Sequence, residues 1–172
     1  MSTLVVLCHH RWSLPVLAEI GRTGGSRFAT ITGRLGVTGE SLRRTLAYLQ
    51  GEGLVERNPG YGHPLRPEYV LTPAGRRIAP NAREILKTLT GREDTGLKKW
   101  SLPVLAALAG PRRFSELRAE LPVTARGLAL ALSELESAGL VRRTVTDDRP
   151  PQTHYEAAPS ARAIVRAARR LG

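Results

Sequence analysis

The sequence predicts a mainly helical α+β protein that contains two copies of one small module. The heptapeptide Trp-Ser-Leu-Pro-Val-Leu-Ala occurs at residues 12–18 and again at 100–106. From Arg27, which aligns with Arg113, the two halves continue without a gap at a constant offset of 86 residues. The matching positions are mostly apolar, Gly or Pro, and these are the positions that a shared fold requires. We therefore predict two tandem copies of one fold.

The division of the chain follows from this alignment. A length of 172 residues suffices for two small domains, and 41% hydrophobic residues suffice for each to bury a core. A polar segment with two glycines, TGREDTGLKK, separates the copies. We predict a first module over residues 1–90, a linker over 91–98 and a second module over 99–172.

The chain is strongly basic, with 26 Lys and Arg residues against 15 Asp and Glu and a net charge of +11. This charge favours polyanionic partners, above all nucleic acid. Cys8 is the single cysteine, so no intrachain disulfide forms, and the apolar runs are too short to span a membrane. We expect a cytoplasmic, nucleoid-associated protein without a membrane partner.

The repeated heptapeptide is predicted to begin the first helix of each module. Ser13 is expected to cap this helix and Pro15 to lie in its first turn. The apolar residues that follow have the spacing of a buried stripe. Because Trp12 and Trp100 stand at the head of this stripe, we expect them to pack in the core and not to stack on bases.

The next segment of each module predicts a helix-turn-helix. A second helix is predicted over residues 28–35 and 114–121. Thr38 and Thr124 are natural N-caps of a third helix, whose leucines recur at i, i+4 and i+7 and form a buried face. A glycine, Gly53 in the first copy, is expected to end it.

A hairpin and a last helix complete each module. A strand begins at LVER or LVRR, a polar turn rich in Gly and Pro follows, and a return strand holds Tyr69 or Tyr155. Pro73 and Pro159 open the last helix. Three helices, a hairpin and a further helix are the order of a winged helix-turn-helix domain, with the hairpin as the wing.

Three segments of the second copy carry a family resemblance. They are Lys99-Trp100, Arg113-Phe114-Ser115-Glu116-Leu117 and residues 132–140, followed by the Tyr-to-Pro run after the wing. With these segments, residues 98–165 resemble the HxlR-type branch of the MarR-like winged-helix transcriptional regulators, and residues 11–77 resemble it more faintly. The resemblance implies a regulator that dimerises and binds palindromic operators.

The chain departs from that family in two features. Family members are usually single-module chains, whereas two modules are fused here. Many relatives carry a redox-sensing cysteine well upstream of the Lys-Trp pair, but Cys8 lies only four residues before Trp12 and the second copy has no cysteine. A thiol switch of the family type is therefore not expected.

In the first copy, the face of the third helix opposite the buried stripe is predicted to read DNA. At 100° per residue from Leu42, Glu40 and Arg44 lie on that face, with Arg43 and Tyr48 at its edges. We expect Arg43 or Arg44 to read guanine in the major groove and Tyr48 to reach a phosphate. The alternative is a merely solvated helix face.

The same face of the second copy has a different composition. Arg126 is its single cation, Ser133 is small and polar, and Ala129 and Leu130 replace the two arginines. We expect this helix to bind DNA more weakly than the first copy does, or with a different base specificity. The alternative is that Leu130 marks a surface covered by the other module or by another protein.

Further predicted contacts flank the recognition helices. Arg27 and Arg113 precede the second helix and are placed to clamp a phosphate, or else remain solvated. In the wings, His63, Arg66 and Arg149 are expected to reach the backbone or the minor groove. The complete set of predicted DNA contacts is Arg27, Thr38, Glu40, Ser41, Arg43, Arg44, Tyr48, His63, Arg66, Arg113, Thr124, Arg126, Ser133 and Arg149.

No sequence pattern indicates catalysis. The chain has no His-Glu-x-x-His, no Cys-x-x-Cys, no Walker-type glycine loop and no nucleophile elbow. The run Cys8-His9-His10 is not expected to hold a metal, because adjacent side chains rarely face one ion. We predict no enzymatic activity, no cofactor and no metal site.

These observations predict a sequence-specific regulator that binds double-stranded DNA. The two fused DNA-binding modules are expected to act as a single-chain pseudo-dimer. Because their recognition helices differ, we expect the operator to be an imperfect inverted repeat. The chain acts as a monomer, or as a homodimer formed through Leu4–Leu7 or the end helices. A small-molecule effector is a further possible partner, but no residue of the sequence indicates its identity. The alternative function is a tandem winged-helix module for protein–protein interaction or a chromosome-associated scaffold.

Overall fold

The chain forms two compact units in the computed structural model. The structure describes residues 2–58, 67–147 and 149–171. The N-terminal unit is His10–Leu86, and the C-terminal unit is Met1–His9 together with Lys87–Gly172. Helix α1 (Thr3–Leu7) therefore belongs to the C-terminal unit. Within the described residues, no helix has the length and apolar character needed to cross a membrane.

The N-terminal unit has the predicted winged-helix order. Its elements are α2 (Ser13–Thr23), β1 (Ser26–Arg27), α3 (Phe28–Leu35), α4 (Gly39–Gly51), β2 (Val55–Asn58), β3 (Glu68–Leu71) and α5 (Pro73–Thr88). The strands form an antiparallel sheet in the order β1-β3-β2, with Ser26 opposite Tyr69 and Val55 opposite Leu71. Strand β1 adds a third strand to the predicted hairpin, and its two residues are too few to show a periodicity.

Helix α4 buries the face that its leucine spacing predicts. Leu42, Leu46 and Leu49 are almost completely inaccessible to solvent. They pack in a core to which α2 also contributes Val16, Leu17 and Ile20. Because this stripe faces inward, the other side of α4 stays exposed, as the sequence predicts.

The C-terminal unit repeats this order. Its further elements are α6 (Glu93–Gly96), α7 (Ser101–Ala107), β4 (Arg112–Arg113), α8 (Phe114–Glu120), α9 (Ala125–Ser137), β5 (Val141–Val145), β6 (Thr153–Ala157), a 3-10 turn (Pro159–Ala161) and α10 (Arg162–Arg169). The sheet has the order β4-β6-β5, and α10 packs along α7. Helix α8 ends one residue before the predicted Leu121, which is extended because Pro122 follows it.

Helix α1, at the start of the chain, packs with the second copy of the repeat. Leu4 and Leu7 of α1 are buried, and α1 contacts α7. The structure thus differs from the predicted first module, and residues 91–98, predicted as a linker, contain α6 and the buried Leu97. Dimerisation through Leu4–Leu7 or the end helices stays a prediction, although Leu4, Val5 and Leu7 are buried within the single chain.

Ser13 is not the N-cap that the sequence predicts. Trp12 holds the N-cap position without a side-chain hydrogen bond, and Ser13 is the buried first residue of α2. Within the described part of the chain, the Ser13 hydroxyl has no hydrogen-bond partner. In the second copy the Ser101 hydroxyl donates to the Thr95 carbonyl oxygen at 2.6 Å. A serine inside the first turn cannot cap the helix, since capping requires the residue before it.

Trp12 and Trp100 are half-buried, so the predicted core packing holds for only part of each ring. A cation lies over each of them. The Arg11 guanidinium carbon is 5.9 Å from the Trp12 ring centroid, and the Lys99 ammonium nitrogen is 5.4 Å from that of Trp100. The negative face of an indole ring attracts such a charge. Both rings thus combine packing with a cation contact at the surface of their own unit.

Candidate nucleic-acid interface

The two helix-turn-helix motifs place α4 and α9 through matching threonine caps. The Thr38 side-chain oxygen accepts a hydrogen bond from the Ser41 N–H at 3.3 Å, and its hydroxyl donates to the Ser41 oxygen at 3.0 Å. The Thr124 oxygen accepts from the Gly127 N–H at 3.1 Å. Both threonines are the N-caps that the sequence predicts. Each cap satisfies one helix-terminal N–H and fixes where the recognition helix begins.

The exposed face of α4 carries the two predicted arginines. Arg44 forms an ion pair with Glu40 one turn away, and both side chains are mostly exposed. The guanidinium carbon of Arg43 lies 5.9 Å from the centroid of the Phe28 ring on α3. An exposed pair of this kind contributes little to stability, so Arg44 exchanges its partner for another acceptor at low cost. Arg43 and Arg44 are therefore accessible to a base edge or a phosphate.

Tyr48 has a packing partner that the sequence did not indicate. Its ring meets His10 edge to face, with centroids 4.9 Å apart and an interplanar angle of 63°. His10 precedes α2, so this contact ties α4 to the segment at the head of the unit. The Tyr48 ring is half-buried, so only its hydroxyl is expected to contact a phosphate. This contact stays a prediction.

Helix α9 presents a less charged surface at the corresponding positions. Arg126, Ala129, Leu130 and Ser133 are all exposed, and Leu130 is 60% exposed. Within the described residues no carboxylate lies at ion-pair distance from Arg126. The face thus combines one uncompensated cation with a large apolar side chain.

Arg27 and Arg113 both occupy the N-cap position of the first helix of their motif. The Arg27 Nε lies 3.5 Å from the Glu68 carboxylate across the sheet. The Arg113 backbone N–H donates to Glu116 Oε2 at 2.7 Å, and its guanidinium also lies 3.3 Å from Glu116 Oε1. This backbone hydrogen bond, ahead of the Arg113 charge, lowers the pKa of Glu116. A DNA phosphate would have to compete with these carboxylates for the two guanidinium groups. Phosphate binding by Arg27 and Arg113 therefore stays a prediction.

The wings are described in part. His63 and Arg66 lie outside the described residues, and Arg149 is exposed. The four residues of β5 from Arg142 to Val145, none of which the sequence analysis selected, are also exposed, and the apolar Val145 is exposed by 60%. Alternation along the strand could not have indicated Arg143 and Val145, because they lie on the same side of β5 as the buried Val141.

The single cysteine lies away from solvent. Cys8 is 5% exposed, and burial raises the pKa of its thiol to about 12. The thiolate is the reactive form, so the folded protein keeps Cys8 protonated and unreactive near neutral pH. Within the described residues, no three His, Cys, Asp or Glu side chains group closely enough to hold a metal ion.

A helix-turn-helix with its recognition helix exposed, followed by a hairpin in a three-stranded sheet, defines each unit as a winged helix-turn-helix domain. The chain belongs to the HxlR-like helix-turn-helix family, which matches it twice, over residues 7–92 and 97–171. The two matches correspond to the two copies of the repeat.

Curated relatives share this class. An HTH-type transcriptional regulator of Methanothermobacter thermautotrophicus is 44% identical over 59 residues, which are 33% of this chain and 45% of the relative. The HTH-type transcriptional regulator YvaP of Bacillus subtilis is 38% identical over 86 residues, 49% of this chain and 80% of the relative. The chain thus spans about half the length of the first relative and most of the second.

Each of two similar solved structures matches about half of this chain. The redox regulator HypR in its oxidized form is 31% identical, covers 49% of this chain and 84% of its own, and has a TM-score of 0.43. The reduced form of the regulator YodB from B. subtilis is 27% identical, covers 51% of this chain and 83% of its own, and has a TM-score of 0.35.

Proposed function

We propose that this chain is a transcriptional regulator that binds double-stranded DNA through both of its winged-helix units. The family membership and the regulator names of its relatives support this function. The net charge of +11 supports a phosphate-backbone partner. Binding to DNA would place the protein at the nucleoid.

The observation that carries the proposal is the unequal pair of recognition helices. Helices α4 and α9 share threonine caps and buried leucine faces, yet one exposes Arg43 and Arg44 where the other exposes Ala129 and Leu130. Arginine reads guanine O6 and N7 in the major groove, whereas an apolar side chain contacts the thymine methyl. The two units would therefore read different bases.

Covalent linkage of two such units would make the chain a pseudo-dimer. The second unit binds at the effective concentration that the tether sets, so avidity replaces the association of separate subunits. Two unlike recognition helices favour an imperfect inverted repeat, with guanine contacts in one half-site and thymine contacts in the other.

Selection from random DNA tests this function. The full chain is incubated with a pool of random duplexes, the bound sequences are determined, and the affinity of the consensus is measured by fluorescence anisotropy at several salt concentrations. We expect two unlike half-sites and an affinity that falls steeply with salt, because phosphate contacts release counterions. An affinity equal to that for random DNA, or one that does not change with salt, contradicts the proposal.

A second candidate function is protein binding by the C-terminal unit. Leu130 and Val145 are its large exposed apolar side chains, each 60% exposed within the described residues. A protein partner whose binding is lost in Leu130→Glu and retained in Arg43→Ala, in a chain that shows no DNA preference, would support this alternative.

A further inference from the structure

The C-terminal unit contains a cavity of about 560 Å³ beside the end of α7, strand β6 and helix α10. Its apolar lining includes Leu108 and Val165, both buried, together with Pro111 and Ala157. Cavities that bind small molecules usually have volumes of about 300–1,000 Å³ and a mostly apolar lining with a few polar groups. The volume is therefore that of a small-molecule site, and the lining combines apolar side chains with charged ones.

The rim of this cavity is strongly cationic. Four exposed arginines of α10 and the residue after it line the cavity, namely Arg162, Arg166, Arg169 and Arg170. Within the described residues, none of them lies at ion-pair distance from a carboxylate. The acidic residue in the lining, Glu156, already pairs with Arg142 at 2.9 Å. Like charges one helical turn apart destabilise a helix, so a bound anion would relieve this repulsion.

The N-terminal unit provides an internal comparison. It has a cavity of about 280 Å³ in the corresponding place, half the volume of the one in the C-terminal unit. Four of its lining residues, Ile20, Leu71, Ala79 and Arg76, align with Leu108, Ala157, Val165 and Arg162 of the larger cavity. Both cavities thus come from the same position of the repeated fold.

The side chains account for the difference between the cavities. Pro80 and Glu84 occupy the sequence positions of Arg166 and Arg170, so the N-terminal cavity lacks two of the four cations. Arg76 donates to the Leu71 carbonyl oxygen at 2.8 Å and is engaged within its own unit. Leu71 of the N-terminal unit occupies the position of Ala157, and its larger side chain fills more of the cavity. One copy of the fold therefore has a small cavity with few charges, and the other has a large cationic one.

We propose that the C-terminal cavity binds a small organic acid, a carboxylate attached to an aromatic or aliphatic body. The apolar lining would receive the body, and the planar guanidinium groups would bind the carboxylate through two parallel hydrogen bonds. A DNA phosphate does not account for the apolar lining, since it would contact the rim alone. This site goes beyond the proposed DNA-binding function, and its occupancy is measurable without DNA.

Isothermal titration calorimetry of the full chain with 1-naphthoate and with octanoate tests the site. The uncharged 1-naphthalenemethanol is the matched control ligand. We expect saturable binding of one acid per chain, with the uncharged analogue bound at least about tenfold more weakly, the loss that one charge-assisted hydrogen bond produces.

Two variants locate the site. Arg166→Gln with Arg170→Gln removes the two cations that the N-terminal unit lacks, and Ala157→Leu introduces the residue that the N-terminal unit has. We expect each variant to weaken binding of the acids at least about tenfold. Arg83→Gln, in the N-terminal cavity, is the matched control and should leave the affinity unchanged.

Three results would overturn the proposal. The first is that neither acid binds at millimolar concentration, and the second is that both bind the variants as well as the original chain. The third is that Arg166→Gln with Arg170→Gln lowers DNA affinity and its salt dependence but not the affinity for acids, which would assign these arginines to phosphate contacts. Unchanged circular dichroism and melting temperature exclude misfolding as the cause.

Discussion

Lys98 and Glu134 form in the C-terminal unit the contact that His10 and Tyr48 form in the N-terminal unit. The Lys98 ammonium lies 2.6 Å from the Glu134 carboxylate, and the rings of His10 and Tyr48 meet edge to face at the aligned positions. Each contact ties the recognition helix to the segment before the repeated heptapeptide. The duplicated fold keeps the contact and changes its chemistry from aromatic to ionic.

This difference predicts that salt changes the strength of the Lys98–Glu134 contact but not that of the His10–Tyr48 contact. Glu134→Gln should lower the free energy of unfolding by about 0.5 kcal/mol at low salt and by less at high salt, because ions screen a partly exposed pair. Tyr48→Leu should lower it by about 1 kcal/mol at both, because an aromatic pair is not screened. Urea unfolding at two ionic strengths measures both. Equal salt dependence of the two variants would contradict the assignment.

The recognition helices predict unequal losses of DNA affinity. Replacing both Arg43 and Arg44 by Ala should weaken binding to the selected operator by about 10- to 100-fold, since one bidentate guanine contact contributes about 1–3 kcal/mol. Arg126→Ala should cost less, about tenfold or below. Anisotropy titrations give both values, and unchanged melting temperatures serve as the control because these side chains are exposed. Equal losses would refute the asymmetry.

Leu130 predicts a dependence on the thymine methyl group. In the half-site that α9 binds, replacing thymine by deoxyuridine removes the methyl group. This should weaken binding of the original chain about fourfold per contacted methyl, which corresponds to about 0.8 kcal/mol. Leu130→Ala should bind thymine and deoxyuridine operators equally. The same replacement in the other half-site is the control. If the original chain does not distinguish the two bases in either half-site, Leu130 does not read DNA.

Burial of Cys8 predicts that its thiol reacts only when the chain unfolds. At pH 8, iodoacetamide should modify the native protein far more slowly than the urea-unfolded protein, because the accessible thiolate is the reactive species. Mass spectrometry after quenching follows the reaction. Rapid modification of the native chain, accompanied by a loss of DNA affinity, would instead support a redox switch at this residue.

The same thiol predicts a pH dependence of stability. Burial raises the pKa of Cys8 from 9.0 to about 12, so folding favours the neutral thiol. Its contribution to stability is complete below pH 9 and is lost as the pH rises from 9 towards 12. Relative to Cys8→Ala, the original chain should lose up to about 1.4 kcal/mol per pH unit in that range. A constant difference between the two chains would contradict the raised pKa.

Local signals in the sequence predicted much of the fold. The leucine spacing of α4 and α9, the caps at Thr38 and Thr124 and the proline at the start of α5 depend on neighbours within a few residues. Elements without such signals were missed, namely the two-residue strands β1 and β4 and the short helices α1 and α6. Tertiary pairing and packing hold these short segments in place, because they have little intrinsic stability.

The candidate site was predictable only in its exposed residues. Helical geometry indicates that Arg43, Arg44 and Leu130 lie outside the buried stripe, and all three are exposed. Geometry along one helix cannot indicate that Tyr48 packs on His10 or that Arg27 pairs with Glu68, because these partners come from other elements.

The sequence by itself determined the duplication, the order of elements in each copy, the positive charge and the difference between the two recognition helices. The tertiary structure decided which of these residues are accessible and which have partners. It placed α1 in the C-terminal unit, covered Cys8 and brought Leu108, Ala157 and Arg166 to one cavity. Helix spacing and charge are properties of short segments, whereas burial and cavities depend on contacts between residues that are far apart in the chain.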